Sequence, residues 1–355
     1  QFIVEMSVIV LLLLANVAFA QTPTQQHLTG YQEALAWRLL NLAGAAYGNR
    51  YDECMNLSFP PNEQRYIYSS TAQECDILDS SCQGFIVNSN VTRQVIFIFR
   101  GTKTKGQLLL EGWQSYSKGA DFHGMGNVNK YFRNGHEKLW QSVLEFFSHP
   151  QFATYSVLVT GHSLGGALAS LTAARIVKEG IRPASAVQLY TFGQPRTGSY
   201  NYAQSFDALG IPSYRLVYAA DIVPHQPSCA KDPSLPANED GSRPCWANPS
   251  NEAYHHGIEI WYPQSMAPGS LFLECLGSPR NEDMSCSDQL TFQTENTDAY
   301  IWDHRHYFNV TVTSYGKSGC TNRTVTPPVK SKASSLLGKI SHVLGGIRHW
   351  FSRKQ

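Results

Sequence analysis

Six residues constrain this chain more than any others: Gly161-His162-Ser163-Leu164-Gly165-Gly166. The stretch before them, Tyr155-Ser156-Val157-Leu158-Val159-Thr160, is apolar, β-branched and of strand length. The stretch after them, from Ala167 to Ile176, is a helix-forming run rich in small residues. A strand that passes into a helix over G-x-S-x-G turns so tightly that a Cβ would clash, and the flanking glycines meet that demand. The turn lifts the Ser163 hydroxyl above a sheet. It also puts the Leu164 N–H at a helix start, where a developing oxyanion can be stabilised. Ser163 is therefore the candidate nucleophile, against the alternative of a Gly-rich turn with a structural role only.

At 355 residues the chain is long enough for one large α/β domain with a well-buried core. Hydrophobic residues make up 42% and charged residues 15%, a globular balance, and the net charge of +1 points to no nucleic-acid partner. No zinc-type Cys/His spacing and no His-Glu-x-x-His occurs, so neither metal nor cofactor is expected.

The chain begins with an export signal. Met6 to Ala15 form a short apolar core, and Ala18-Phe19-Ala20 is a small-x-small cleavage site. Met6 reads as the start, and cleavage is expected after Ala20. A membrane anchor is the alternative, but the segment is too short to span the hydrocarbon layer. The expected plan is a signal peptide over 1–20, one domain over 21–324 and a separate tail over 325–355. Eight cysteines remain after residue 20: Cys54, Cys75, Cys82, Cys229, Cys245, Cys275, Cys286 and Cys320. An even number in an exported chain reads as disulfides in a secreted, extracellular protein. Sequons at Asn56, Asn90, Asn309 and Asn322 are candidate glycosylation sites, whereas Asn248 is followed by Pro249.

Periodicity predicts a helix over Ala34–Tyr47. A hairpin follows, with strands Gly84–Val87 and Val95–Phe99 and a polar turn at Asn88–Asn90. A helix over 134–147 leads to the elbow strand. Then come a helix over 164–178, a strand over Ala186–Phe192, a helix over 199–209 and a strand over Tyr214–Tyr218. This alternation is the rhythm of a mostly parallel sheet with helices on both faces. From Pro224 to about Gly277 the chain is loop-rich, with one further strand over Gly257–Tyr262.

A serine hydroxyl needs a base, and the base needs a carboxylate to orient it. Asp221 stands just beyond a predicted strand, where active-site loops of open α/β sheets collect; a cap or turn residue is the competing reading. Among 12 histidines the base is harder to choose. His162 lies within the elbow, directed away from the front of Ser163, and reads as packing. His225 is too close to Asp221 in sequence. His255, His256, His304 and His306 all follow Asp221, and spacing alone does not separate them.

Five stretches, in order, resemble the secreted triacylglycerol lipases typified by the fungal enzymes, often called lipase class 3. They are Phe99-Arg100-Gly101-Thr102, Gly161 to Gly166, Thr191-Phe192-Gly193-Gln194-Pro195-Arg196, Asp221-Ile222-Val223-Pro224 and Asp303-His304-Arg305-His306-Tyr307-Phe308. The resemblance covers roughly residues 30–322 and implies the α/β-hydrolase fold. It implies Ser163 as nucleophile, Asp221 as acid and His304 as base. Thr102 and Leu164 fall on the family's oxyanion-hole positions. His255 and His256 fall on a structural strand, and His306 on a position without a catalytic role.

The resemblance also implies a lid after Thr102, and Leu108, Leu109, Leu110 and Trp113 are its apolar residues; a core-packed crossover is the alternative. It implies the disulfides Cys54–Cys320 and Cys275–Cys286, with Cys75–Cys82 and Cys229–Cys245 as the remaining local pairs. The tail over 325–355 has no Asp or Glu, and its apolar residues recur at helical spacing among lysines and arginines. Such a segment suits an anionic membrane surface, although a packed helix or a disordered tail fits as well. The implied activity is hydrolysis of lipid esters at an oil–water or membrane surface, with no cofactor and no obligate protein partner. Phospholipase A1 and feruloyl-type esterase activities lie within the same family. A non-catalytic lipid-binding protein and a peptidase on this scaffold are the rival readings.

Overall fold

The apolar runs of the sequence become neighbouring strands of one sheet whose spatial order repeats their order along the chain. The computed structural model describes residues 28–74, 81–102, 119–238, 241–248 and 251–324. Residues 28–31 belong to an N-terminal unit, and everything below concerns the unit that begins at Gln32. The signal segment 1–20, Cys75, the lid candidates Leu108, Leu109, Leu110 and Trp113, and the tail 325–355 lie outside the described residues.

The strands of this sheet are β1 (Arg65–Glu74), β2 (Ser81–Ser89), β3 (Gln94–Phe99), β4 (Ser156–His162), β5 (Val187–Phe192), β6 (Ser213–Tyr218), β7 (Ile258–Tyr262) and β8 (Leu273–Cys275). β1, β2 and β3 form an antiparallel meander. β3 through β7 run parallel, and β8 returns antiparallel at the far edge. A parallel strand is covered on both faces, so both of its alternating residue sets are apolar. Val157 and Val159 of β4 join one core, while Leu158 between them is buried on the opposite face.

The helices are α1 (Glu33–Ala45), α2 (Tyr51–Ser58), α3 (Lys130–Ser148), α4 (Leu164–Lys178), α5 (Tyr200–Ala208), α6 (Thr297–Arg305) and α7 (Val312–Lys317). From α3 and α4, Phe132, Leu139, Val143, Leu168 and Leu171 share a core with Phe97, Val159 and Leu189. α1 packs on β3, β4 and β5 and on α7. α1 and α7 touch backbone to backbone: a Cβ on Gly316 would stand 1.8 Å from the Gly44 carbonyl oxygen. The disulfide Cys54–Cys320, spanning 266 residues, ties this corner together.

α4 begins and ends where the sequence predicts. α3 begins four residues earlier than predicted, at Lys130, because the Asn129 side chain accepts the Tyr131 N–H at 2.9 Å and caps it. β1 and α2 have no counterpart in the sequence reading. β1 is an edge strand whose residues are mostly half-buried or exposed, so it lacks an apolar stripe. α6 is followed by a hairpin of β9 (His306–Tyr307) and β10 (Val310–Thr311), with its turn at Phe308 (φ 48°) and Asn309 (φ 58°).

The loop-rich stretch after Pro224 is anchored by buried charge as well as by β7 and β8. Arg196 grips Glu282 with Nε at 2.8 Å and a terminal nitrogen at 2.5 Å, reaches Asp288 at 3.2 Å, and donates to the carbonyls of His225 and Pro227. Burial alone would raise the Glu282 pKa, but Arg196 beside it holds the carboxyl well below the usual range. Disulfides Cys229–Cys245 and Cys275–Cys286 staple the same stretch, and Cys82 is disulfide-bonded as well. Closing a loop as long as that of Cys54–Cys320 removes unfolded-chain entropy worth about 5–6 kcal/mol before any strain is subtracted. The double substitution Cys54→Ser/Cys320→Ser is therefore expected to lower unfolding free energy by about 3–5 kcal/mol in urea titrations.

Candidate active site

The site is built on backbone that leaves no space for side chains. Ser163 has φ 62° and ψ −131°, between the end of β4 and the first turn of α4. A Cβ on Gly161 would lie 2.2 Å from the Gly165 carbonyl oxygen, and one on Gly165 would lie 2.2 Å from that of Phe99. These positions accept only glycine. The Ser163 N–H is held by the Phe192 carbonyl at 2.8 Å, which ties the turn to the neighbouring strand β5.

The ends of two other segments meet this turn. Asp221 follows β6, with its backbone N–H on the Tyr218 carbonyl at 2.9 Å. His304 stands in the last turn of α6, next to the hairpin. Its Nε2 lies 2.9 Å from Ser163 Oγ, and its Nδ1 lies 3.0 and 2.9 Å from the two Asp221 oxygens. All three side chains are buried, Ser163 with 2% exposure and Asp221 with none. The network assigns Nδ1–H to the aspartate and leaves the Nε2 lone pair facing the serine hydroxyl. Such an arrangement can take a proton from Ser163 and stabilise the imidazolium that results.

Asp221 is fully engaged. Oδ1 accepts the Val223 N–H at 2.9 Å, and Oδ2 accepts the Tyr307 hydroxyl at 2.6 Å. Gly193, at φ 57°, presses against the pair, since a Cβ there would sit 2.7 Å from Asp221 Oδ2 and 2.8 Å from His304 Nδ1. On the other side of the elbow, Gly101 backs onto Ser163, with its Cβ position 3.1 Å from the Ser163 Cβ. The half-buried Thr102 follows directly. The Leu164 N–H opens α4 and has no helical carbonyl behind it. Thr102 and Leu164 are thus both beside the serine.

His162 does more than pack. Its Nε2 donates to the His304 carbonyl at 2.8 Å, its Nδ1 accepts the Tyr47 hydroxyl at 2.8 Å, and its ring stacks on that of His304 at 4.7 Å. Burial and the charge of His304 pull its pKa down to about 3, so the neutral ring keeps one donor and one acceptor. The sequence carried no signal for Tyr47, because it arrives from beyond α1 across 115 residues. The other histidines are held elsewhere. His255 Nδ1 lies 3.1 Å from Glu282, His256 Nε2 lies 2.7 Å from Ser170, and His225 Nδ1 lies 3.4 Å from Asp288. His306 stacks on Trp302 and bonds Thr311 at 2.8 Å.

Among the described residues two clusters bring cysteine sulfur near carboxylates: Cys275 and Cys286 with Glu259, and Cys245 with Glu282 and Asp288. Every one of these sulfurs is in a disulfide, which leaves no thiolate to bind an ion. The four sequon asparagines, Asn56, Asn90, Asn309 and Asn322, are exposed.

The family model described as Lipase (class 3) matches residues 96–231. A lipase of Caenorhabditis elegans is 46% identical over 314 residues, covering 87% of this chain and 89% of that protein. A lipase of Rhizopus niveus is 28% identical over 238 residues, covering 65% of this chain and 52% of that protein. The crystal structure of a lipase from Rhizopus microsporus var. chinensis superposes with a TM-score of 0.60 at 22% identity, covering 80% of this chain and 90% of that one. That likeness establishes the α/β-hydrolase fold.

Two expectations follow from the contacts around Asp221. Gly193→Ala must push His304 and Asp221 apart, and is expected to lower kcat/KM for a soluble ester by about 100-fold or more. Asp303, whose Oδ2 accepts the Ala220 N–H at 3.0 Å, is raised to about 7 by burial and then by the charge of Asp221. Unfolded, it ionises near its ordinary value of 3.8, so between these limits the folded state binds the extra proton. Its contribution to stability is complete below that value and is lost as pH rises through about 7. Relative to Asp303→Asn, the wild type is expected to lose about 3 kcal/mol between pH 4 and 8, read from urea midpoints at each pH.

Proposed function

Since this chain belongs to the class 3 lipases and is a lipid-ester hydrolase, we propose that it cleaves triacylglycerol through an acyl-enzyme on Ser163. The observation that carries this reading is the unbroken chain Ser163–His304–Asp221, at 2.9 Å on both sides of the imidazole. His304 takes the Ser163 proton as Oγ attacks the ester carbonyl. Asp221 holds Nδ1–H and balances the imidazolium. The backbone N–H of Leu164 and the N–H and hydroxyl of Thr102 receive the oxyanion, each donor supplying about 3 kcal/mol of barrier lowering. His304 then gives its proton to the departing alcohol. Water, activated by the same imidazole, releases the fatty acid.

The protein works outside the cell on this reading. Its cysteines among the described residues are paired, and its sequon asparagines are exposed, as an oxidising and glycosylating route requires. The 2% exposure of Ser163 favours an enzyme that uncovers its nucleophile at a lipid surface.

The test is a panel of emulsified triacylglycerol, phospholipid vesicles and a dissolved short-chain ester, run with wild type and Ser163→Ala. Triacylglycerol is expected to turn over fastest, with a jump in rate above the solubility limit of the substrate. Ser163→Ala is expected to lose about 10,000-fold or more on every substrate. Residual activity of the variant near the wild-type level would overturn the assignment of the nucleophile. Faster turnover of phospholipid would replace the substrate.

A further inference from the structure

A cavity of about 490 Å³ opens where α1, the β9–β10 turn and the last described residues meet. Its apolar walls are Trp37, Met266, Phe308 and Val310, and the exposed Asn309 and Arg323 line it as well. No member of the Ser163 site lines it. The volume falls within the range of small-molecule sites, and so does the chemistry, an apolar wall with few polar groups.

The wall is held in place before any ligand arrives. Trp37 and Phe308 meet edge to face at 5.3 Å, and the Phe308 N–H rests on the sulfur of the buried Met266 at 3.4 Å. The charges at the margin are unequal in their engagement. Glu33 already accepts from the Tyr262 hydroxyl at 3.1 Å and from the Gly269 N–H at 3.4 Å. Arg323 is exposed, with its guanidinium over the Trp37 ring at 5.2 Å, and among the described residues no carboxylate pairs with it. A guanidinium without a carboxylate, next to an apolar chamber, is complementary to an amphiphile with an anionic oxygen head.

We propose that this pocket is a second, non-catalytic site that holds a fatty carboxylate, its head group on Arg323 and its chain against Trp37, Phe308 and Met266. The ligand is of the class that lipid-ester hydrolysis releases, so the inference draws on that activity but not on the roles of Ser163, Asp221 and His304. Phe308 follows Tyr307, whose hydroxyl bonds Asp221. The bound product therefore touches the turn that directly follows the strand supporting the candidate acid.

The experiment is calorimetric titration of the full chain with decanoate below its micelle concentration, and with decanol as the uncharged counterpart. The variants are Arg323→Glu, Arg323→Lys and Ala34→Trp, the last placing a large ring at the rim from an exposed helix position. Ala34 and Arg323 are both outside the Ser163 site, so the difference between variant and parent counts only ligand held in this pocket. Decanoate is expected to bind the parent at least 10-fold more tightly than decanol. Arg323→Glu should weaken decanoate at least 10-fold, Arg323→Lys should retain most of the affinity, and Ala34→Trp should remove this binding. Hydrolysis of a soluble short-chain ester by the three variants, measured without decanoate, is expected to equal that of the parent. That assay tests the hydrolytic reading separately. Equal affinity for decanoate and decanol, or decanoate binding that survives both Arg323→Glu and Ala34→Trp, overturns the proposal.

Discussion

Everything at the site rests on one close approach of backbones. The carbonyls of Phe99 and Gly165 and the turn at Ser163 are packed so tightly that Gly101, Gly161 and Gly165 have no room for a methyl group. That density fixes where the hydroxyl points. It also puts the end of β3, and so Thr102, beside it. A looser turn would carry the same residues and lose the alignment, because catalytic geometry tolerates errors of only fractions of an ångström.

The imidazole is placed from three directions. Asp221 holds one nitrogen, the Ser163 hydroxyl meets the other, and His162 holds the carbonyl of the same residue while stacking on its ring. The low pKa of His162 belongs to this arrangement, since a charged ring could no longer accept from Tyr47. Buried polar groups of this kind cost stability unless each is paired, and here the pairing and the positioning are the same contacts.

Much of this was legible in the sequence, for local reasons. The elbow is a glycine pattern between two periodicities, and both periods are short-range properties of the chain. Asp221 was readable as a residue just past a strand. His304 was not readable from spacing, because His255, His256 and His306 also follow Asp221 and only the fold brings one of the four to Ser163. The family motif around Asp303–Phe308 singled it out. β1 escaped because an edge strand such as Arg65–Glu74 needs no apolar face. Tyr47, Gly193 and Tyr307 escaped because their roles exist only as contacts between distant segments. The stretch after Pro224 looked like loop because part of it is held from outside, by Arg196 on the carbonyls of His225 and Pro227, rather than by a run of Val and Leu of its own.

The spatial order of the sheet is the order in which it is written. Each strand from β1 to β8 joins an edge that its predecessor has just completed, so no later segment has to insert between two earlier ones. A chain emerging from its amino end can therefore grow this sheet as it appears, strand upon strand. The Ser163–His304–Asp221 cluster cannot form that way, for His304 emerges last of its three members. The cysteine that answers Cys54 comes later still, at Cys320. A chain that stops short of these residues has every strand of the sheet but lacks both the imidazole that meets Ser163 and the partner of Cys54.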